Sequence, residues 1–156
     1  MNWIAFLQAL TVCLLSILLE AFSASKSGRE WFEKLNQPKY FLLFSLWYLV
    51  GGIYYVMAGA IAYRLFDDFD DPHFFLAISL LISILLANGL TNFLLFKRRS
   101  VMTFYFSIYV FTLIVSALFV ELLQHDIISA VILLPYLVWL IYDIYYFHSL
   151  WKLNKQ

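Results

Sequence analysis

Asp143 is the residue whose chemistry stands out, because it is a carboxylate within a long apolar stretch. Tyr136, Trp139, Asp143 and Tyr146 are spaced so that they would share one face of a helix. In a membrane helix such a carboxylate must face the bundle interior or a wet cavity. Two interpretations stay open: Asp143 contacts a ligand, or it only hydrogen-bonds to a neighbouring helix. Pro135 in the same stretch favours a kink that could open a cavity, although membrane helices also simply tolerate proline.

Asn88 and Asn92 form a second polar pair, four residues apart, with Thr91 beside them. Amide side chains in a membrane helix hydrogen-bond to other helices and stabilise the packing by about 0.5–2 kcal/mol each. The pair could therefore hold helices together, or it could line the polar edge of a ligand site.

Small residues mark a third stretch, in which Gly51, Tyr55 and Gly59 share one helix face. Small side chains let helices approach closely, within one chain or between two copies. Gly51 could instead leave room in a pocket.

The remaining reactive residue types form no constellation typical of catalysis or metal binding. The three histidines lie near predicted helix ends without metal-ligand spacing. Phosphate loops and nucleophile elbows have no match in the sequence. We therefore expect no enzyme, no catalytic residue, no metal site and no cofactor.

Composition shows which elements must position these side chains. Hydrophobic residues make up 64% of the 156 residues and charged residues only 13%, whereas soluble domains carry about 25% charged residues. A bilayer-spanning helix needs about 20 mostly apolar residues, and five stretches qualify, at about 3–22, 40–66, 74–96, 101–123 and 127–151. The sequence predicts an all-α polytopic membrane protein, a single domain over 1–156 built as a five-helix transmembrane bundle. In its longest loop, residues 31–35 could form an amphipathic turn at the interface.

Charge placement predicts the orientation. Nine of the ten basic residues fall on one side of a five-span chain, and only Arg64 falls on the other, together with an acidic run at 67–71 that we expect to be a solvated loop. Basic loops stay in the cytoplasm, so the N-terminus is expected outside and the C-terminus inside, in a bacterial cytoplasmic membrane. Glu20, near the cytoplasmic end of the first helix, could reach water or pair with Lys26. The nine basic residues on the cytoplasmic side are Lys26, Arg29, Lys34, Lys39, Lys97, Arg98, Arg99, Lys152 and Lys155.

The net charge of zero predicts no nucleic-acid partner.

Three motifs in chain order resemble the translocator protein family, also called tryptophan-rich sensory proteins or peripheral-type benzodiazepine receptors. They are Trp31-Phe32-x-x-Leu35-x-x-Pro38-x-Tyr40, Asn88 with Phe96, and Leu134-Pro135-Tyr136-Leu137-x-Trp139. The resemblance implies a five-helix bundle that often pairs into a homodimer. It also implies a pocket for porphyrins near the cytoplasmic side, under the first loop. Pocket candidates by this resemblance are Trp139, Tyr136, Asn88, Trp31 and Phe32.

The chain departs from the family pattern at several positions. Leu42-Leu43 stands where the family has two prolines, and Gly51 stands where it has a pocket tryptophan. Trp47, one turn earlier on the same face, could partly replace that tryptophan. Asp143 stands at a usually small position. The pocket thus keeps one tryptophan wall, loses another and gains a carboxylate.

The leading hypothesis is a membrane receptor or sensor for a hydrophobic, porphyrin-like ligand, which it could also help to transport, with the first loop as a lid. One alternative is a small proton-coupled transporter that uses Asp143. Another is a structural membrane subunit with a filled core. The expected partners are the ligand, the lipid bilayer and a second copy of the chain. The expected ligand-binding residues are Trp139, Tyr136, Asp143, Asn88, Asn92, Trp31, Phe32, Trp47 and Tyr55.

Overall fold

Helices account for nearly all of the described chain. The computed structural model describes residues 2–23, 25–39, 44–68 and 72–155, apart from the side chains of residues 44, 45, 72 and 73. Every helix except α2 is long and apolar enough to cross a membrane. The predicted all-α, five-span fold is confirmed, and the chain is an integral membrane protein. The helices are α1 (Trp3–Ser23), α2 (Lys26–Glu33), α3 (Phe44–Asp67), α4 (Pro72–Asn92), α5 (Val101–His125) and α6 (Ile127–Leu153), and a π-helical turn (Phe93–Lys97) continues α4.

The structure adds detail to two of the predicted spans. The second span was expected to begin near Tyr40, but residues 40–43, including Leu42 and Leu43, lie outside the described residues, and α3 is described from Phe44. The third span changes at Asn92 from an α-helix to the π-helical turn, which the apolar pattern alone did not indicate. Of the acidic run at 67–71, Asp67 and Asp68 are exposed, while residues 69–71 lie outside the described residues.

The first loop contains a complete helix rather than a turn at 31–35. Ser25 begins α2, because its hydroxyl accepts a 3.0 Å hydrogen bond from the backbone N–H of Gly28, the usual role of an N-cap serine. Phe32 is buried against Phe96 and Phe147. The amphipathic segment is therefore a helix that begins earlier than expected, at Lys26, and α2 packs onto the end of the bundle. Its position at the membrane interface stays a prediction.

The five spans form a closed ring. α1 packs against α3 and α4, α5 packs against α4 and α6, and α6 packs against α3. Small residues allow the closest of these contacts: a Cβ atom added to Gly59 would lie 3.7 Å from the Cys13 sulfur, and one added to Gly89 would lie 3.2 Å from Leu19 Cβ. The predicted close packing at Gly59 therefore occurs within one chain, between α1 and α3.

One ion pair joins α3 to the start of α6. Arg64 Nε and Nη2 donate to Asp126 Oδ2 and Oδ1 at 2.9 and 2.8 Å, and Asp126 also caps α6 by accepting from the Ser129 backbone N–H. Burial by itself would raise the pKa of the Asp126 carboxyl group. The hydrogen bonds from Arg64 and Ser129 outweigh that effect and hold the pKa below its usual value. This pair closes the end of the bundle opposite α2.

Candidate functional site

The ring encloses a cavity of about 120 Å³, which we call the inner cavity. All five spans contribute to its wall, so the site exists only in the assembled bundle. It lies between two packed clusters of buried residues, one around Ile61 and Val115 and the other around Phe32 and Phe147. Its lining residues are Glu20, Trp47, Val50, Gly51, Tyr54, Asn88, Thr91, Asn92, Phe104, Ile108, Phe111, Tyr136, Trp139, Leu140 and Asp143.

A second space of about 450 Å³, the outer cavity, adjoins the inner one under α2. The two cavities share Glu20, Trp47 and Asn92 in their walls. The outer cavity combines aromatic rings with basic side chains from the first loop. Its lining residues are Glu20, Ser25, Lys26, Arg29, Trp47, Tyr48, Asn92 and Phe96.

Glu20 is the polar centre of the shared wall. Its Oε2 atom accepts hydrogen bonds from the Tyr55 hydroxyl at 2.6 Å and from Asn88 Nδ2 at 3.3 Å. Its Oε1 atom accepts from Asn92 Nδ2 at 3.1 Å. Every one of these partners is a donor, so the carboxylate oxygens are matched to their surroundings. Glu20 thus joins α1 to α3 and α4; it stays partly exposed and, within the described residues, forms no salt bridge with Lys26.

Two tryptophans form the aromatic wall of the inner cavity. Trp47 on α3 meets Trp139 on α6 edge to face, with ring centroids 5.7 Å apart. Further along, Tyr54 on α3 packs against Tyr136 on α6 at 4.8 Å. These rings bring α3 and α6 together while leaving π surface along the cavity, which favours aromatic or cationic ligands.

The inner cavity also collects polar atoms that lack partners. Among the described residues, four buried side-chain polar atoms have no hydrogen-bond partner, and three belong to residues that line this cavity: Trp47 Nε1, the Tyr54 hydroxyl and Asp143 Oδ1. Leaving such a group unsatisfied costs about 1–3 kcal/mol. Their concentration around one cavity makes it a candidate binding site, where bound water or a ligand can supply the missing partners.

The basic side chains of the outer cavity come from α2. Arg29 donates to Glu33 at 2.9 Å and to the Tyr48 hydroxyl at 3.1 Å, so its guanidinium is held across the mouth of the cavity toward α3. Glu33 raises the pKa of Arg29 further by this hydrogen bond, with Tyr48 contributing. Lys26, one turn before Arg29, is exposed on the same wall.

The structure brings six of the nine predicted ligand-binding residues into the inner cavity wall and places three elsewhere. Phe32 is buried on the inner face of α2, and Trp31 packs beside it in the same cluster. Tyr55 does not line the cavity but hydrogen-bonds to Glu20, which does. Phe32 and Trp31 turn away from the cavities because α2 lies directly on the π-helical turn. The six lining residues are Trp139, Tyr136, Asp143, Asn88, Asn92 and Trp47.

Sequence reasoning missed Glu20, Lys26 and Arg29 as site residues. A signal for Glu20 does exist, because Ser16, Glu20 and Ser23 are spaced to share one face of α1. The structure buries both serines against α4: Ser16 donates to the Leu85 carbonyl and Ser23 to the Gly89 carbonyl, each at 3.0 Å. A polar stripe on an apolar helix therefore indicated the inward face.

Comparison with known proteins agrees with this architecture. The model of the TspO/MBR family matches residues 9–152, nearly the whole chain and every residue that lines the two cavities. No curated protein gives a significant match to the chain. The matched residues include all three sequence motifs. Because the match covers nearly the whole chain, this chain belongs to the TspO/MBR family.

Proposed function

We propose that this protein is a membrane receptor or sensor for a hydrophobic ligand of the tetrapyrrole type, bound mainly in the outer cavity. Membership of the TspO/MBR family supports a sensor or transporter role in the membrane generally. The observation that carries the finer proposal is the outer cavity itself, an aromatic space with basic side chains at its mouth.

Size separates the two cavities as ligand sites. Pockets for drug-sized ligands typically measure about 300–1,000 Å³. The outer cavity, about 450 Å³, falls in that range, and the inner cavity, about 120 Å³, does not. A tetrapyrrole macrocycle therefore belongs in the outer cavity, where one edge of the ring can reach the shared wall at Trp47 and Asn92.

Charge supports the same placement. Natural porphyrins carry carboxylate side chains on a flat apolar ring, and guanidinium and ammonium groups bind carboxylates. Arg29 and Lys26 stand at the mouth of the outer cavity, and Tyr48 is exposed beside Arg29. Trp47 and Phe96 offer further ring surface in the lining. A ligand with an apolar face and anionic edge matches this arrangement.

The proposed orientation places this mouth in the cytoplasm. The first loop contacts the C-terminal segment, since Asn36 and Asn154 exchange hydrogen bonds at 3.0 and 3.1 Å, and α2 packs on the π-helical turn. The basic loops and tail therefore meet at one end of the bundle, which the positive-inside rule assigns to the cytoplasm of a bacterial membrane. The N-terminus would then lie outside. Pairing of two copies stays a prediction from the family resemblance.

A proton-coupled transporter is the second candidate, and the observation that favours it is the buried, unpartnered Oδ1 atom of Asp143 among the described residues. It predicts a pH-dependent flux in proteoliposomes that Asp143→Asn abolishes. The structural-subunit hypothesis predicts a filled core, which two adjoining cavities do not favour. In both candidate functions the protein binds a ligand rather than transforming it.

The test is a titration of the detergent-purified protein with protoporphyrin IX, followed by tryptophan fluorescence. Saturable quenching is expected for the wild type, and the double variant Lys26→Ala, Arg29→Ala should bind at least tenfold more weakly, because about 1.4 kcal/mol corresponds to tenfold. Lys152→Ala, an exposed lysine that lines neither cavity, is the matched control. Absence of saturable quenching in the wild type would remove the tetrapyrrole assignment.

A further inference from the structure

The two adjoining cavities have opposite electrostatic character. Lys26 and Arg29 face Glu20 across the outer cavity. The inner cavity has two acidic lining residues, Glu20 and Asp143, and no basic residue among its described lining. An anionic ligand suited to the outer cavity would find no basic partner among the described lining of the inner one, so the inner cavity suits a different chemical class.

Asp143 presents an acceptor to the inner cavity. Its Oδ1 atom is buried and has no hydrogen-bond partner among the described residues. The Asp143 carboxyl group otherwise hydrogen-bonds to the Trp139 side chain, whereas both oxygens of Glu20 already accept from Tyr55, Asn88 and Asn92. A ligand with an N–H or O–H donor would satisfy Asp143, and a positive charge on that ligand would also balance the two acids in this low-dielectric space.

The aromatic wall favours an organic cation over a metal ion. Trp47 and Trp139 line the cavity beside Asp143, and indole faces attract ammonium groups within about 6 Å of the ring centroid. Hard metal cations instead require about six oxygen ligands, and the oxygens of Glu20 are already engaged. The small cavity volume restricts the ligand to a few carbon atoms or one ring.

We propose that the inner cavity binds a small organic ammonium ion, whose N–H groups donate to Asp143 and whose hydrocarbon part packs on Trp47 and Trp139. The Tyr54 hydroxyl and the Trp47 N–H, both unpartnered, would accommodate an additional oxygen on the ligand. This site stands apart from the tetrapyrrole proposal and does not depend on it.

The test uses three probes of similar shape and different charge: benzylammonium, benzyl alcohol and benzoate. Binding to the detergent-solubilised protein at pH 7 is measured by calorimetry and by tryptophan fluorescence. For the wild type we expect saturable binding of benzylammonium, at least tenfold weaker binding of benzyl alcohol and no binding of benzoate. Equal affinity for benzylammonium and benzyl alcohol would overturn the proposal.

Variants place the binding in the inner cavity. Asp143→Asn preserves the shape and should weaken benzylammonium binding at least tenfold, while Glu30→Gln, an exposed carboxylate on α2 outside both cavities, should leave it unchanged. Gly51→Leu is the second variant if Asp143→Asn does not fold. A Cβ at Gly51 meets no described atom within 4 Å, so the leucine fills the cavity and should abolish binding. Wild-type affinity in either folded variant would overturn the assignment.

Protoporphyrin IX titrated into the same preparations separates the two proposals. Loss of benzylammonium binding with intact porphyrin quenching in Asp143→Asn supports two distinct sites. Porphyrin quenching without any benzylammonium binding by the wild type rejects the ammonium site alone, and the reverse result rejects only the tetrapyrrole assignment.

Discussion

The Tyr55 hydroxyl on α3 lies 2.6 Å from Glu20 Oε2 on α1 and donates a hydrogen bond to it within the membrane-spanning part of the bundle. The two asparagines of α4 approach the same carboxylate from the other side. One acidic side chain thus holds three spans in register beside both cavities. Its hydrogen bonds connect the helices that form the wall shared by the two cavities.

Removing the Glu20 carboxylate should destabilise the bundle. Glu20→Ala removes the acceptor of three hydrogen bonds that join α1 to α3 and α4, and each such bond contributes about 0.5–1.5 kcal/mol to stability. We expect a clear decrease in melting temperature in detergent. Glu30→Ala, on the exposed face of α2, removes the same group and should change stability by less than about 0.5 kcal/mol. Equal melting temperatures for Glu20→Ala and wild type would contradict the role of this carboxylate.

Gly28 should not tolerate a side chain, although it lies in a helix. A Cβ atom there would lie 2.3 Å from the Phe96 carbonyl oxygen, so Gly28→Ala must push α2 away from the π-helical turn. We expect a loss of about 1–3 kcal/mol from overpacking and weaker porphyrin binding in the outer cavity.

Gly52→Ala is the matched control, because a Cβ at that position on α3 meets no described atom within 4 Å. Alanine favours a helix over glycine by about 1 kcal/mol, so this variant should be neutral or more stable. Thermal melts and porphyrin titrations of the pair check the prediction, and equal behaviour of the two variants would show that α2 is not seated as described.

The Arg64–Asp126 pair should make stability fall in acid. The pKa of Asp126 is lowered in the folded protein, so the stabilisation is complete above the unfolded value of about 3.9. It is lost as pH falls through the lower, folded-state pKa. Asp126→Asn should therefore be less stable than wild type at neutral pH, and the difference should shrink below about pH 4. Asp67→Asn, at an exposed position, is the control. A wild type and Asp126→Asn difference that stays constant between neutral and acid pH would reject this linkage.

Arg64→Ala tests the same pair from the other side. We expect a loss of about 2 kcal/mol, typical of hydrogen bonds to a charged group. This is less than for a fully buried pair, because about a third of the Arg64 side chain is exposed. Urea unfolding in mild detergent at neutral pH measures this change in the free energy of unfolding. An unchanged free energy would mean that Ser129, and not Arg64, stabilises the Asp126 carboxylate.

Gln37 should hold the first loop against α6 through its side-chain hydrogen bonds. Tyr146 donates to Gln37 Oε1 at 2.7 Å, and Gln37 Nε2 donates to the Phe32 carbonyl at 2.8 Å. Tyr146→Phe removes only the hydroxyl, so the loop amides near Gln37 should exchange hydrogen faster while the spans stay protected.

Tyr109→Phe provides the control for that measurement, since its hydroxyl contacts Tyr105 on α5 at 2.6 Å and not the first loop. Hydrogen exchange followed by mass spectrometry compares the two variants. Unchanged exchange of the loop in Tyr146→Phe would mean that the aromatic contacts of Phe32 hold it without this hydrogen bond.

Local sequence patterns were sufficient for the fold and for much of the cavity wall. The apolar lengths predicted five spans, because crossing a bilayer requires about 20 apolar residues whatever the neighbouring helices do. The helical spacing of Tyr136, Trp139 and Asp143 placed them on one face, and the structure turns that face inward. Trp31 and Phe32 line neither cavity, and their motif did not indicate that α2 packs against the π-helical turn.

The sequence by itself determined the membrane class, the number of spans and the family, because these depend on segment length, composition and ordered motifs. Only the tertiary structure decided that Glu20 meets Tyr55, Asn88 and Asn92. It also separated two cavities around a shared wall, one lined by Lys26 and Arg29 and the other by Asp143. These features depend on the rotation of each helix about its axis and on the packing of α2 against the π-helical turn. Both are set by contacts between residues far apart in the chain, such as Glu20 with Asn92.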